Sequence, residues 1–166
     1  MTDERELAAW GAAVADLWER FDETPADAAI DAMRALAAAY PGDDGRAAFE
    51  LAGILDAHGR EVEAEREYER ALELGLEPAH HAQLAVQYGS TLRNTGRVDD
   101  AIAVLEAAPT HPSTGAAPRA LLALALHSAG RHEEALRVAL EALAPTLPRY
   151  RRSVLAYAAE LAHPPA

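Results

Sequence analysis

Cysteine is absent from the 166 residues, which excludes a disulfide framework, a thiolate metal site and a cysteine nucleophile. Lysine is absent as well: all 15 basic side chains are arginine, set against 27 acidic ones, for a formal charge of −12. A balance this negative disfavours nucleic acid and anionic membrane, since both need a basic face. No apolar stretch reaches bilayer-spanning length, and Ala120 to Ala129, the nearest approach, is too short. The opening Met1-Thr2-Asp3-Glu4-Arg5-Glu6 is acidic where a signal peptide is basic and then apolar. The expectation is a soluble, cytoplasmic protein with no membrane and no nucleic-acid partner.

Strand signals are also missing. Alternation is absent, β-branched residues are few, and the abundant alanine favours helix. What the chain does have is a beat. Gly59-Arg60, Gly96-Arg97 and Gly130-Arg131 are copies of one turn, set at nearly even spacing along the chain. Pro41, Pro78, Pro112 and Pro148 keep the same rhythm. Leu55, Leu92 and Leu126 each stand four places before the glycine. Ala64, Ala101 and Ala135 stand five after it, and Ala71, Ala108 and Ala142 twelve after it. Small residues at fixed places in an apolar stripe are what closely approaching helices require. Leu84, Ala85, Tyr88 and Leu92 fall on one helical face, and each copy reads as helix, tight glycine turn, helix.

This pattern resembles the tetratricopeptide repeat. With Gly59 as its fifteenth position, the small eighth residue is Ala52, the twentieth Ala64, the aromatic twenty-fourth Tyr68 and the twenty-seventh Ala71. The second copy has Gly89, Ala101, Leu105 and Ala108 there, and the third Ala123, Ala135, Ala139 and Ala142. The aromatic shrinks to Leu105 and then Ala139, so the later helices must pack more closely or be filled from elsewhere. Residues 44 to 148 are similar to the group-5 tetratricopeptide domain of small bacterial proteins. That resemblance implies an all-α fold: a right-handed α-solenoid of antiparallel helix hairpins, with about nine helices.

The expected organisation is a single helical-repeat domain over 1–166. Residues 1–43 form a degenerate N-terminal hairpin, 44–78, 79–113 and 114–148 three repeats, and 149–166 a C-terminal capping helix. In the first segment Leu7, Trp10, Val14, Leu17 and Phe21 make one stripe, and Ile30, Met33, Ala37 and Tyr40 another. Between them Thr24-Pro25-Ala26-Asp27 predicts an N-cap followed by proline at the first helical position. The last helix is expected over Arg149 to Ala162, with Val154, Tyr157, Ala158 and Leu161 on one side and a polar outer face.

Sites for chemistry are sparse. His80 and His81 are adjacent, and His127 and His132 straddle a turn, so none of the seven histidines has ligand spacing. There is no HExxH, no acidic calcium loop, no phosphate loop and no Gly-x-Ser-x-Gly elbow. No cofactor, no metal and no catalysis are expected. Glu61, Glu65, Glu69 and Glu73 recur at every fourth position, with Arg66 and Arg70, three after Glu63 and Glu67, offsetting part of the repulsion. They form either a docking strip for a basic partner or a solvated face.

The resemblance implies a concave face built from the first helix of each hairpin, where the family tends to bind peptides. The candidates carried over are Arg46, Phe49 and Asp56 from the first copy, and Gln83, Gln87, Ser90, Arg93 and Asn94 from the second. The third supplies Leu121, Leu124 and His127. The second copy forms a stripe of amides and a hydroxyl ending at Arg93, suited to an extended backbone. From Ala116 to Leu126 every residue but Pro118 and Arg119 is Ala or Leu, so that helix is expected to be buried on both sides. Leu121 and Leu124 would then need a cover: the N-terminal hairpin, a second subunit or an apolar ligand. The function implied is a scaffold or interaction module for a peptide or partner protein. The alternatives are a homodimer with a self-occluded groove, or a sensor or enzyme gathering Arg93, His127 and Asp56. The charge is also uneven. Residues 1–78 hold 20 acids and 7 arginines, residues 79–166 hold 7 and 8. A basic segment should therefore meet the first two hairpins and a neutral or apolar one the third.

Overall fold

The computed structural model describes residues 4–162, and among these there are nine α-helices and no strand. They are α1 (Glu4–Glu19), α2 (Ala26–Ala38), α3 (Arg46–Ala57), α4 (Glu61–Leu74), α5 (Pro78–Asn94), α6 (Val98–Glu106), α7 (Ala117–Ser128), α8 (His132–Leu143) and α9 (Arg151–Glu160). The all-α expectation holds. The chain forms two compact units, one running to Leu84 and the other starting at Ala85, so the division falls inside α5. In the first unit Trp10, Val14 and Leu17 of α1, Ile30 and Met33 of α2, Ile54 and Leu55 of α3 and Tyr68 of α4 are buried. In the second the buried set includes Leu92, Ile102, Leu105, Leu122, Leu126 and Val138.

The three Gly-Arg turns close in one way. Gly59, Gly96 and Gly130 have φ of 71°, 86° and 76°, a left-handed conformation that costs an L side chain roughly 1–2 kcal/mol. The amide after each glycine then reaches back to a leucine carbonyl in the last turn of the helix. Arg60 donates to Leu55 at 2.8 Å, Arg97 to Leu92 at 2.8 Å and Arg131 to Leu126 at 2.9 Å. This is the six-to-one bond of a Schellman stop. Each arginine then pairs with an acid in the first turn of the next helix: Arg60 with Glu63, Arg97 with Asp100 and Arg131 with Glu134. Glycine and arginine recur together because one ends a helix and the other steadies the start of its partner. Gly130→Ala is expected to lower stability by about 1 kcal/mol, read from the denaturant midpoint at unchanged slope.

The small positions also do what close packing demands. Ala52, Ala64 and Ala71 have no exposed surface, nor does the aromatic Tyr68. In the second repeat a Cβ added at Gly89 would sit 2.5 Å from Cγ of Leu105, so the smaller pair is matched by a closer approach. Another contact of this kind has no sequence signal. Gly45, just before α3, donates to the carbonyl of Gly75 at 2.7 Å, and a Cβ there would overlap the Ala71 carbonyl oxygen.

Three local expectations need correction. Thr24 does not cap α2: the helix starts at Ala26 with Pro25 in the capping position, and the Thr24 hydroxyl donates backwards to Arg20 O at 2.8 Å. The last helix starts two places later than expected, at Arg151, after Tyr150 at φ 65°. In α4, Glu63 pairs with Arg60 and with Arg34 at 3.4 Å rather than with Arg66, while Arg70 does reach Glu67 at 3.5 Å.

Candidate partner-binding site

In the first unit the candidates stand on α3 and the start of α5. Arg46 opens α3 beneath a cap in which Asp44 Oδ1 accepts its backbone N–H at 2.9 Å. Its Nε donates to Glu50 Oε1 at 2.8 Å, and the guanidinium carbon lies 5.8 Å from the centre of the Trp10 ring. Glu50 is itself buried and accepts a second bond, from Trp18 Nε1 at 2.9 Å on its other oxygen. A buried carboxylate needs such partners on both oxygens. Arg46 NH1 also lies 3.5 Å from His80 Nδ1, which is 2.7 Å from Glu77. Burial first, then the Arg46 charge, hold the His80 pKa below the ordinary histidine value.

Phe49 is buried, its ring 5.6 Å from that of His80, so it supports the surface from beneath. Asp56 and Gln83 are half-buried. Trp10, Trp18 and Glu50 are the members that sequence reasoning missed. Arg46 and Glu50, four apart on one helix, are the available signal. The tryptophans reach them from α1, a whole hairpin earlier in the chain.

In the second unit the candidates on α5 and α7 come together. Arg93 Nε donates to Ser128 Oγ at 2.9 Å and to the Leu124 carbonyl at 3.3 Å, and its NH1 donates to Asn94 Oδ1 at 3.4 Å. Ser128 Oγ bonds the same Leu124 carbonyl at 3.1 Å. Among the described residues each acceptor around Arg93 is uncharged, so its positive charge is fixed in place without being neutralised by them. Gln87, Ser90 and Leu121 are half-buried beside it, while Asn94 and Leu124 are exposed, Leu124 at 47%.

The third-repeat helix α7 is thus not buried on both sides. Leu122, Ala123, Ala125 and Leu126 are inside, but Ala120, Leu124 and His127 face out. The helix packs against α6 and α8 through the inner set, and a run of alanine and leucine does not by itself bury every face. His127 turns to His132, Nδ1 to Nδ1 at 3.1 Å, rather than to Arg93. Asp56, the third member of the sensor or enzyme alternative, belongs to the first unit. Among the described residues no three of His, Cys, Asp or Glu group as a metal site, and no helix is long and apolar enough to cross a membrane.

A family model described as Tetratrico peptide repeat, group 5, matches residues 45–161. The chain belongs to the tetratricopeptide-repeat family. The match begins at Gly45, the residue wedged against the Ala71 carbonyl, and runs through α9. Tetratricopeptide-repeat domains fold as helical-repeat solenoids and generally serve protein–protein interaction rather than catalysis. No curated protein and no solved structure gives a match.

Proposed function

We propose that this tetratricopeptide-repeat chain is a non-catalytic, cytoplasmic interaction module that grips an extended segment of another protein on the face of its second unit that carries Arg93. The observation that carries the reading is the Arg93 constellation. A guanidinium is oriented by neutral acceptors, with an exposed amide at Asn94 on one side and an exposed leucine at Leu124 on the other. Pre-oriented donors beside an apolar spot suit the backbone carbonyls and one apolar side chain of a bound segment. An arginine already ordered loses less entropy on binding than a free one. The near balance of charge in residues 79–166 favours a neutral or apolar segment over a basic one.

The test is capture from native lysate on the immobilised chain, with captured proteins identified by mass spectrometry. Asn94→Ala and Leu124→Glu are expected to lower the retained amount of the specific protein about tenfold or more, as central interface residues do. Val62→Ser, at an exposed position on α4, should capture as the parent does. Equal capture by all three variants would remove this face from the account.

A further inference from the structure

We propose that the α8–α9 hairpin is a symmetric docking surface for a second copy of this chain, separate from the Arg93 face. Exposed apolar surface gathers here. Of the nine large hydrophobic side chains exposed among the described residues, five lie between positions 136 and 157. Leu136 and Leu143 on α8 are 51% and 50% exposed, with half-buried Leu140 between them on the same helical stripe. The equivalent of Leu136 in the preceding repeat, Ile102, is only 6% exposed. A position that the second repeat buries therefore stands open in the third. Contiguous exposed apolar surface of this kind marks an interaction site.

The charges indicate what covers it. The end of α9 lies beside the start of α8, since Leu161 and Ala162 share a cavity wall with Gly130 to Glu134. The hairpin is antiparallel, and its two ends differ. Exposed Arg149, Arg151 and Arg152 stand at one end, where none of them has an ion-pair partner among the described residues. Glu133 and Glu160 are equally exposed at the other, where Arg131 and Arg137 are already engaged by Glu134.

This arrangement does not serve α9 itself. Its arginines occupy the first turn, facing the positive end of the helix dipole, and Glu160 is the last residue, at the negative end. A two-fold axis across the hairpin, however, sets the basic end of one copy against the acidic end of the other. The leucines then meet in the middle. The surface is self-complementary, as an isologous dimer interface must be. Residues 132–162 hold four acids and four arginines, so two copies meet here without the like-charge repulsion that residues 1–78 would impose.

Light scattering after size exclusion, at micromolar concentration, tests this on the whole chain. The parent is expected to run as a dimer. Arg151→Glu with Arg152→Glu, and separately Glu133→Arg with Glu160→Arg, should each weaken the dimer about tenfold. All four changes together should restore it, because the polarity is then reversed in both copies. Leu136→Ser with Leu143→Ser should give monomer that no charge change recovers. The Arg151 and Arg152 exchange improves the match of α9 to its own dipole, so a parent-like helical circular-dichroism spectrum at 25 °C will separate lost docking from unfolding. A monomeric parent, a dimer indifferent to the charge changes, or a fourfold variant that stays monomeric would each overturn the proposal.

Discussion

Replacing Tyr68 by alanine is expected to destabilise the unit ending at Leu84 by about 4 kcal/mol, near what large aromatic truncations cost in cores. The ring is fully buried, on the α4 face that also carries the fully buried Ala64 and Ala71. Alanines cannot move in to fill the space, and the neighbouring helices are held by their own contacts, so the cavity stays open. Both tryptophans of the chain, Trp10 and Trp18, lie in this unit. Denaturant titration followed by tryptophan fluorescence therefore reads the loss directly. A midpoint within about 1 kcal/mol of the parent would mean that the site collapses around the missing ring. The third repeat carries Ala139 at this motif position, and it is exposed. The burden of an aromatic at position twenty-four is thus borne by the first repeat alone.

Gly45→Ala comes next, at about 3 kcal/mol, toward the upper part of the range for forced overpacking. The added methyl would run into a backbone carbonyl, Ala71 O, and backbone cannot swing aside as a side-chain tip can. Relief requires moving the end of α4 away from the start of α3, which also strains the 2.7 Å bond from Gly45 N to Gly75 O. Gly11→Ala is the matched control. It lies inside α1 with nothing within 4 Å of the new methyl, so it should gain up to about 1 kcal/mol from helix propensity. The same chemical change is then expected to have opposite signs at two places in one unit, and fluorescence melts of both variants would show it.

Legibility in the sequence follows the range of the interactions. The Gly-Arg turns, the alanines at positions twenty and twenty-seven and the buried faces of α1 and α2 are readable because each repeats at fixed spacing or lies on one helix. Gly45 is not, since its need for a missing side chain comes from a carbonyl at the far end of the hairpin. Thr24 misleads for a related reason: its hydroxyl donates one turn back to the Arg20 carbonyl, and Pro25 takes the capping place instead, which composition alone does not show. At the site, the motif positions of Arg93, Asn94 and Leu124 put them on first helices, where they stand as neighbours. The role of Ser128 as their link depends on a reach of 35 residues that no local pattern encodes. Motif position gives Phe49 a face on α3, but its depth is decided by packing alone.

The three turns carry a consequence for how the chain comes into being. Each stop-and-start device is complete within a short local stretch, from leucine carbonyl to paired acid: Leu55 to Glu63, Leu92 to Asp100, Leu126 to Glu134. Closing so short a loop costs little chain entropy, and folds dominated by short-range contacts form fast. A hairpin can therefore bend as soon as its second helix leaves the ribosome, before the next repeat has been made. The interval from Gly59 to Gly96 is longer than that from Gly96 to Gly130, and the difference falls outside these clips. The chain can gain or lose length between hairpins while the step that shapes each one stays intact.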